Sequence, residues 1–328
     1  MFEIGTLSVK HGLVLAPLAG ISDPVFRTIC ISCGAEMVFT EMVSAEGVRR
    51  RMKRTLSYLD FGREEHPIAV QIFGSDGDCL SEAAQIVEDE HRPDVIDINL
   101  GCPVRKVTRT GAGAALLKDR RRLGAIVSRV VSAVHTPVSA KIRLGWKENH
   151  SLEIAQTLTD CGIHLLTVHA RTARSGFDAK ADWDAFEPIR ERISIPLIAN
   201  GDITDPEDVA YLLKEVGVAG VMIGRGAIGR PWIFTHMRDY LIKGTAHPLP
   251  GAREQFEFLL DHMDIMERRY GAVRAVGRMK KHIPYYLKGI AGRKKRIHVL
   301  LTSKTFDELR KRTRQIAAEF QRSDGDSE

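Results

Sequence analysis

The stretch Asp97-Ile98-Asn99-Leu100-Gly101-Cys102-Pro103, followed by Lys106, places one thiol where a β-strand must stop. Val95 to Asn99 is an apolar run suited to a buried strand, and Gly101 and Pro103 break it. Cys102 is therefore presented at the strand's carboxyl end, where α/β proteins gather their catalytic groups. A thiol in that position suits a nucleophile, a metal ligand or a redox centre, and these residues alone leave the three open. The other cysteines are weaker candidates. Cys30 and Cys33 have the spacing of half a zinc knuckle, but no second pair follows, so they read with Cys79 and Cys161 as packing thiols. Five cysteines in a long chain fit reduced thiols rather than a disulfide framework, and no histidine pair has metal-binding spacing, so no metal is expected.

Eight apolar runs could position such a site: Leu13 to Ala16, Met37 to Thr40, Ile68 to Phe73, Val95 to Asn99, Val138 to Ile142, Leu165 to His169, Pro196 to Ala199 and Ala219 to Ile223. Near-continuous apolar strands alternating with helices predict an α/β fold, a closed (β/α)8 TIM barrel; the strand count argues against a doubly wound open sheet. The strand ends then converge on one mouth. They carry Pro17, Glu41, Gln71, Asn99 with Cys102, Lys141 with Arg143, His169 with Arg171, Asn200 with Asp202, and Gly224 with Arg225. Gly224 to Gly229 matches the dinucleotide fingerprint literally, but only helices follow it. After the last strands of a barrel, the same residues make a phosphate cradle. Gly111 to Ala115 reads as close packing at a helix start. Asp205-Pro206 opens one helix and Gly217 closes it.

The chain has 328 residues and is 44% hydrophobic, enough for one large core with a smaller domain beside it. No apolar run approaches the roughly 18 residues of a membrane span, and the first residues lack the layout of a signal peptide, so a cytoplasmic protein is expected. Residues 1–250 hold 30 Lys+Arg against 31 Asp+Glu, while residues 251–328 hold 18 against 11, so the positive excess lies in the last quarter. The expected division is a barrel over 1–243, a Pro/Gly linker over 244–251, an all-helical C-terminal domain over 252–321 and a disordered tail over 322–328. Between Glu267 and Asp307 there is no acidic residue, and Tyr270, Tyr285 and Tyr286 are interleaved with the basic ones, a pattern suited to nucleic acid. Arg49 to Arg54, after the second strand, fits either added backbone contacts or an exposed helix start.

Taken in order, Ala16-Pro17-Leu18-Ala19-Gly20-Ile21-Ser22-Asp23, the Gln71 strand, Asn99 to Pro103 with Lys106, Lys141 to Trp146, His169 to Thr172, Asn200-Gly201-Asp202 and Gly224-Arg225 resemble the tRNA-dihydrouridine synthases, in their bacterial B-type branch. The resemblance covers nearly the whole chain. It implies FMN in the mouth, NADPH as hydride source, and reduction of the C5–C6 double bond of a uridine in tRNA. Ala16, Pro17 and Leu18 would line the flavin ring, Gln71 its polar edge, and Lys141 the N1 and C2 carbonyl region. His169, Asn200, Gly201, Asp202, Gly224 and Arg225 would serve the ribityl and phosphate side. Cys102 would be a protonated acid delivering a proton to uracil C5 after hydride has reached C6 from flavin N5. Arg105 and Lys106 should then point away from the sulfur. Asn99, Lys106, Arg143 and Arg171 would contact substrate at the mouth, and Arg278, Lys280, Lys281, His282 and Tyr286 would grip tRNA. A mouth open to so large a substrate fits a monomer. Two other readings are a flavin-dependent reductase of free pyrimidines, which leaves the basic domain without purpose, and a flavin-containing RNA-binding protein without catalysis, which needs neither Lys141 nor Cys102.

Overall fold

Each of the eight apolar runs forms a strand in a computed structural model of the chain, which describes residues 1–176 and 179–323. The strands are β1 (Leu13–Leu15), β2 (Met37–Phe39), β3 (Ile68–Phe73), β4 (Val95–Asn99), β5 (Val138–Arg143), β6 (Leu165–His169), β7 (Leu197–Asn200) and β8 (Gly220–Ile223). All pair in parallel with their sequence neighbours, and β8 returns to β1, which closes the barrel. Alternate side chains face opposite ways. Leu15, Val38, Val70, Ile98, Ile142 and Val168 pack outward under the helices. Val14, Met37, Phe39, Ala69, Val95, Leu165, Ile198 and Met222 fill the interior. Toward the carboxyl ends the inward positions turn polar: Gln71, Asp97, Ser139 and Thr167, then Asn99, Lys141, His169 and Asn200. The barrel thus changes from a dry plug to a polar mouth along its own axis.

Two short pieces of sheet lie outside the eight runs. An antiparallel hairpin, Phe2–Ile4 with Leu7–Val9, packs Phe2, Ile4 and Val9 into the interior cluster. Val43–Ser44 extends the pairing of β3.

The helices around the sheet are α1 (Pro24–Ser32), α2 (Gly77–His91), α3 (Arg120–Ala133), α4 (Ser151–Asp160), α5 (Phe186–Arg192), α6 (Pro206–Tyr211) and α7 (Ile233–Lys243). Asp205 and Asp208 form a capping box at α6, with Pro206 at its start, as the sequence signals predict. After Lys243 no regular element occurs before α8 (Ala252–Tyr270), which is followed by α9 (Ala272–Tyr286), α10 (Arg293–Leu301) and α11 (Phe306–Ser323). Arg322 and Ser323 continue α11 rather than joining a tail, and residues 324–328 lie outside the described residues.

The four C-terminal helices share one apolar core, and Val25 and Ile29 of α1 and Trp232 from the barrel belong to it. The module is therefore seated on the barrel. Arg278 donates to Asp23 at 3.0 Å and Arg269 to Asp60 at 2.5 Å across the joint. Gly229 has φ +66°, and a Cβ there would lie 2.4 Å from the backbone of both Tyr285 and Tyr286. This glycine thus permits the docking of α9. Gly229→Ala should cost about 2–3 kcal/mol through backbone overlap and left-handed strain, read as a lower melting temperature.

The same packing corrects two expectations. Ala275, Met279, His282, Ile283 and Tyr286 recur at helical spacing on the buried stripe of α9. His282 and Tyr286 are each 1% exposed, so neither reaches RNA. His282 lies 4.6 Å from the His262 ring, and the Tyr286 hydroxyl is 3.1 Å from His262 Nδ1. Burial pulls His282 down to about 3, which keeps it neutral.

Candidate active site

At the carboxyl ends of the strands lies a cavity of about 630 Å³. Ala16, Pro17, Leu18, Gln71, Asn99, Cys102, Lys141, Arg143, His169, Arg171, Asn200, Gly201, Asp202, Gly224 and Arg225 all line it.

A hydrogen-bonded chain ties the thiol loop to the barrel interior. Ser139 Oγ donates to Asp97 Oδ1 at 2.6 Å, and Gln71 Nε2 donates to Asp97 Oδ2 at 2.7 Å. This orients the Gln71 amide so that its oxygen accepts from Asn99 Nδ2 at 2.8 Å. Asn99 Oδ1 is then left to accept from the N–H groups of Gly101 at 3.3 Å and Cys102 at 3.0 Å. A carboxylate one layer down thus sets which way the Asn99 oxygen points. Asp97 is fully buried, and burial pushes it up to about 6 despite the donors from Ser139 and Gln71. From below, Gly113 at φ +60° lets the chain approach closely, since a Cβ there would meet the Cys102 carbonyl oxygen at 2.8 Å. This agrees with the close-packing reading of Gly111 to Ala115.

Burial raises the Cys102 thiol above its ordinary range. The Val104 N–H, Arg143 and Lys141 oppose this and do not overcome it. Arg105 and Lys106 are exposed and are not among the charges acting on the sulfur, as expected.

Lys141 Nζ donates to Asn200 Oδ1 at 2.9 Å, and Asn200 Nδ2 donates to the Met222 carbonyl at 2.7 Å, which fixes the amide's orientation. An ammonium carries three donors, so two remain for a ligand. Burial and then Arg143 lower Lys141 to about 8. Arg143 lies 2% exposed, with Nε on the Gly101 carbonyl at 3.1 Å and Nη1 on that of Thr172 at 2.8 Å, so it braces the thiol loop against the loop after β6. Burial and the Arg171 charge pull it down to about 10.

Arg171, expected to meet substrate, is largely engaged within the protein. Its Nη2 holds both Asp202 oxygens, at 2.7 and 2.5 Å, its Nε donates to the Ala179 carbonyl at 2.5 Å, and its Nη1 lies 3.2 Å from His169 Nε2. Burial, then the charges of Lys141, Arg143, Arg171 and Arg225, drive His169 down to about 2, so it is a neutral imidazole. Asp202 sits at φ +55°. Burial would raise its carboxyl, but the hydrogen bonds from Arg171 and the Ala181 N–H, with the Arg171 and Arg225 charges, hold it low.

The remaining sequence candidates fall outside the cavity. Lys106 is exposed beyond it. Arg278 is paired with Asp23, Lys280 Nζ donates to the Ser303 carbonyl at 2.7 Å, and Lys281 lies exposed beside Gly20. Arg49 and Arg50 pair with Glu46, and Arg51 with Glu90, which favours the exposed helix start for that cluster. Conversely, Met42, Arg230, Tyr285, Lys288 and Arg293 line the cavity without having been singled out as site residues. The last three come from the helical module, and Tyr285 is 43% exposed. Their basic and aromatic character stands in the sequence; which of them turns toward the mouth depends on how α9 docks.

Among the described residues no helix is long and apolar enough to cross a membrane. The dihydrouridine synthase (Dus) family model matches residues 14–320. tRNA-dihydrouridine synthase B of Pasteurella multocida is 39% identical over 290 residues, spanning 88% of this chain and 87% of that protein. The protein of the same name from Pseudomonas putida is 40% identical over 288 residues, 87% and 85% of the two chains. Among solved structures, histamine dehydrogenase from Rhizobium sp. 4-9 aligns with a TM-score of 0.54 at 13% identity, over 78% of this chain and 50% of that one. TcOYE with pHBA aligns at 0.56 and 10% identity, over 77% and 93%. At such identities these two speak for the barrel alone.

Proposed function

The chain belongs to the dihydrouridine synthase family, an oxidoreductase family, and on that premise we propose that it reduces the C5–C6 double bond of a uridine in tRNA, with FMN as cofactor and NADPH as reductant. The observation that carries the reading is the placement, at one cavity, of the Cys102 thiol with the half-buried Lys141 ammonium; burial raises the thiol above its ordinary range, which favours its protonated form.

The residues present suit the cofactor. A cavity of about 630 Å³ falls within the range of cofactor sites. Its Lys141, Arg143, Arg171 and Arg225 outnumber the Asp202 carboxylate, and His169 is neutral, so the field favours an anion such as a phosphate ester. Ala16, Pro17 and Leu18 would hold the ring, Gln71 its polar edge, Lys141 the side where negative charge develops, and His169, Asn200, Gly201, Asp202, Gly224 and Arg225 the ribityl phosphate. When bound, FMN supplies the hydride, drawn from NADPH, that adds to uracil C6. Cys102 then delivers its proton to C5. Asn99 and Gln71 hold the thiol loop in register, and Arg143 braces it from the other side.

The helical module supplies the RNA contacts. With Arg278 and Lys280 engaged internally, Tyr285, Lys288 and Arg293 at the cavity, and exposed Lys281, Lys294 and Lys295 beyond it, are the groups in position. Lys106 adds a contact from the barrel. The target uridine leaves its stack to enter the mouth. The protein acts as a cytoplasmic monomer, since so large a substrate needs the mouth open.

The test is to incubate purified protein with NADPH and either unmodified tRNA or free uridine, then measure dihydrouridine. Product from tRNA is expected. Product from free uridine alone would establish a pyrimidine reductase, and bound FMN with no product from either would favour a binding protein.

A further inference from the structure

Opposite the helical module, the barrel carries its own unpaired basic surface. The module docks beside β1 and β8, through Asp23 and Gly229, and reaches Asp60 in the segment before β3. Four strands from β8 and three from β1, the chain from Arg105 to Lys147 holds eleven Lys and Arg against one acid, Asp119; Lys141 and Arg143 belong to the cavity and Arg129 pairs with Asp78, and the others lie along the rim and its helix. Asp119 is occupied in capping α3, where its side chain accepts from the Arg122 N–H. Arg105, Lys106, Arg109, Arg120 and Arg121 are all exposed, and none forms a side-chain ion pair or hydrogen bond with another described residue.

Their placement works against local stability. A helix amino end attracts anions and repels cations. Yet α3 opens on Arg120, Arg121 and Arg122, with no acidic residue in its first turn after the Asp119 cap. In the helical module, α10 repeats the arrangement with Arg293, Lys294, Lys295 and Arg296, and Arg293 lines the cavity. Beyond the Asp119 cap, the first turn of α3 carries cations where Asp or Glu would favour folding, an arrangement that suits a polyanion.

The surface also abuts the mouth. Val104, just before Arg105, lines the cavity and is 56% exposed. Arg122 Nη2 donates to the Ser75 carbonyl at 2.7 Å, and Lys118 lies 4.0 Å from the ring of Trp146, in the loop after β5. The basic segment thus follows the rim from the β3 loop to the β5 loop. An RNA strand that delivers one nucleotide into a mouth has phosphates on both sides of it.

We propose that the rim after β4, built on Arg105, Arg109, Arg120 and Arg121, is a second RNA-backbone surface, so that the substrate strand straddles the mouth between the rim and the helical module. This rests on the tRNA reading above and adds where the RNA lies. The test compares wild type with Arg105→Gln/Arg109→Gln/Arg120→Gln/Arg121→Gln for tRNA affinity across a potassium chloride series. Each lost phosphate contact flattens the log–log salt slope by about 0.7–0.9, so for four contacts a slope shallower by about 3 and a Kd raised at least about tenfold at moderate salt are expected. The melting temperature should hold or rise, because cations leave helix starts. Should the fourfold variant melt early, Arg120→Gln/Arg121→Gln carries the same test, with a slope shallower by about 1–2. Lys294→Gln/Lys295→Gln should flatten the slope separately, and the combination with the rim variant should add. An unchanged slope and Kd in a folded rim variant, with wild type binding tRNA normally, overturns the proposal, and it does so equally if that variant has lost an acidic protein partner. A wild type that binds no tRNA overturns the tRNA reading itself.

Discussion

Cys102→Ala should lower dihydrouridine formation by about 10²–10⁴-fold while leaving flavin content, NADPH oxidation and tRNA affinity close to wild type. The prediction follows from which groups at the mouth can carry a proton at neutral pH. His169 is held down to about 2 and is therefore empty. Asp97, up at about 6, is enclosed beneath Gln71 and bonded to Ser139. Lys141 is tied to Asn200. That leaves the thiol, which burial raises above its ordinary range and which Asn99 holds by its backbone N–H. The sign of the pH dependence follows. An acid acts while protonated, so its contribution is full below the raised thiol pKa and disappears as pH rises through it. The rate of the oxidative half-reaction should be flat through neutrality and fall only on the alkaline side. Wild-type product from Cys102→Ala, or a neutral-pH limb that vanishes with the thiol, would refute the acid role.

The barrel and the mouth were legible because both depend on short-range pattern. Apolar runs bounded by breakers locate β1 to β8, and the polar residues within or just after the carboxyl half of each run locate the rim, so the sequence alone brings Gln71, Lys141 and Asn200 together. The hairpin at Phe2 to Val9 was not, because two three-residue strands carry too little alternation to stand out. His282 and Tyr286 show the opposite failure. Their basic and aromatic neighbours suggested RNA, yet Ala275, Met279 and Ile283 place both residues on the buried stripe of α9. The helical period was present and the residue types outweighed it. Charge counting failed through averaging, since the near-neutral total of residues 1–250 concealed the basic segment from Arg105 to Lys147. The internal commitment of Arg171 to Asp202 and Ala179 depends on a loop path that sequence spacing does not specify.

Lys141→Met should stabilise the flavin-free protein and at the same time weaken its hold on flavin. Taking an ammonium from about 10.5 to about 8 means that the fold bears a charged group it disfavours, by roughly 3 kcal/mol at neutral pH as an order of magnitude. Burial is the main cause, and Arg143 adds repulsion. Between about 8 and 10.5 the unfolded chain binds the proton that the folded chain has lost, so stability rises with pH across that window. Below about 8 the cost is present in full. A neutral side chain of similar length removes it, so the melting temperature of the flavin-free variant should exceed wild type at pH 7, and the gap should close as pH rises through the window. The lysine nevertheless has two donors left for a ligand, in a cavity rich in cations. An anionic ligand there would offset the cost of the buried charge. Flavin retention on gel filtration should therefore fall in the variant, and wild-type retention should weaken as pH rises through about 8. If the variant keeps full flavin content, or its flavin-free form melts below wild type at pH 7, Lys141 is a structural residue and the mouth is not organised around its charge.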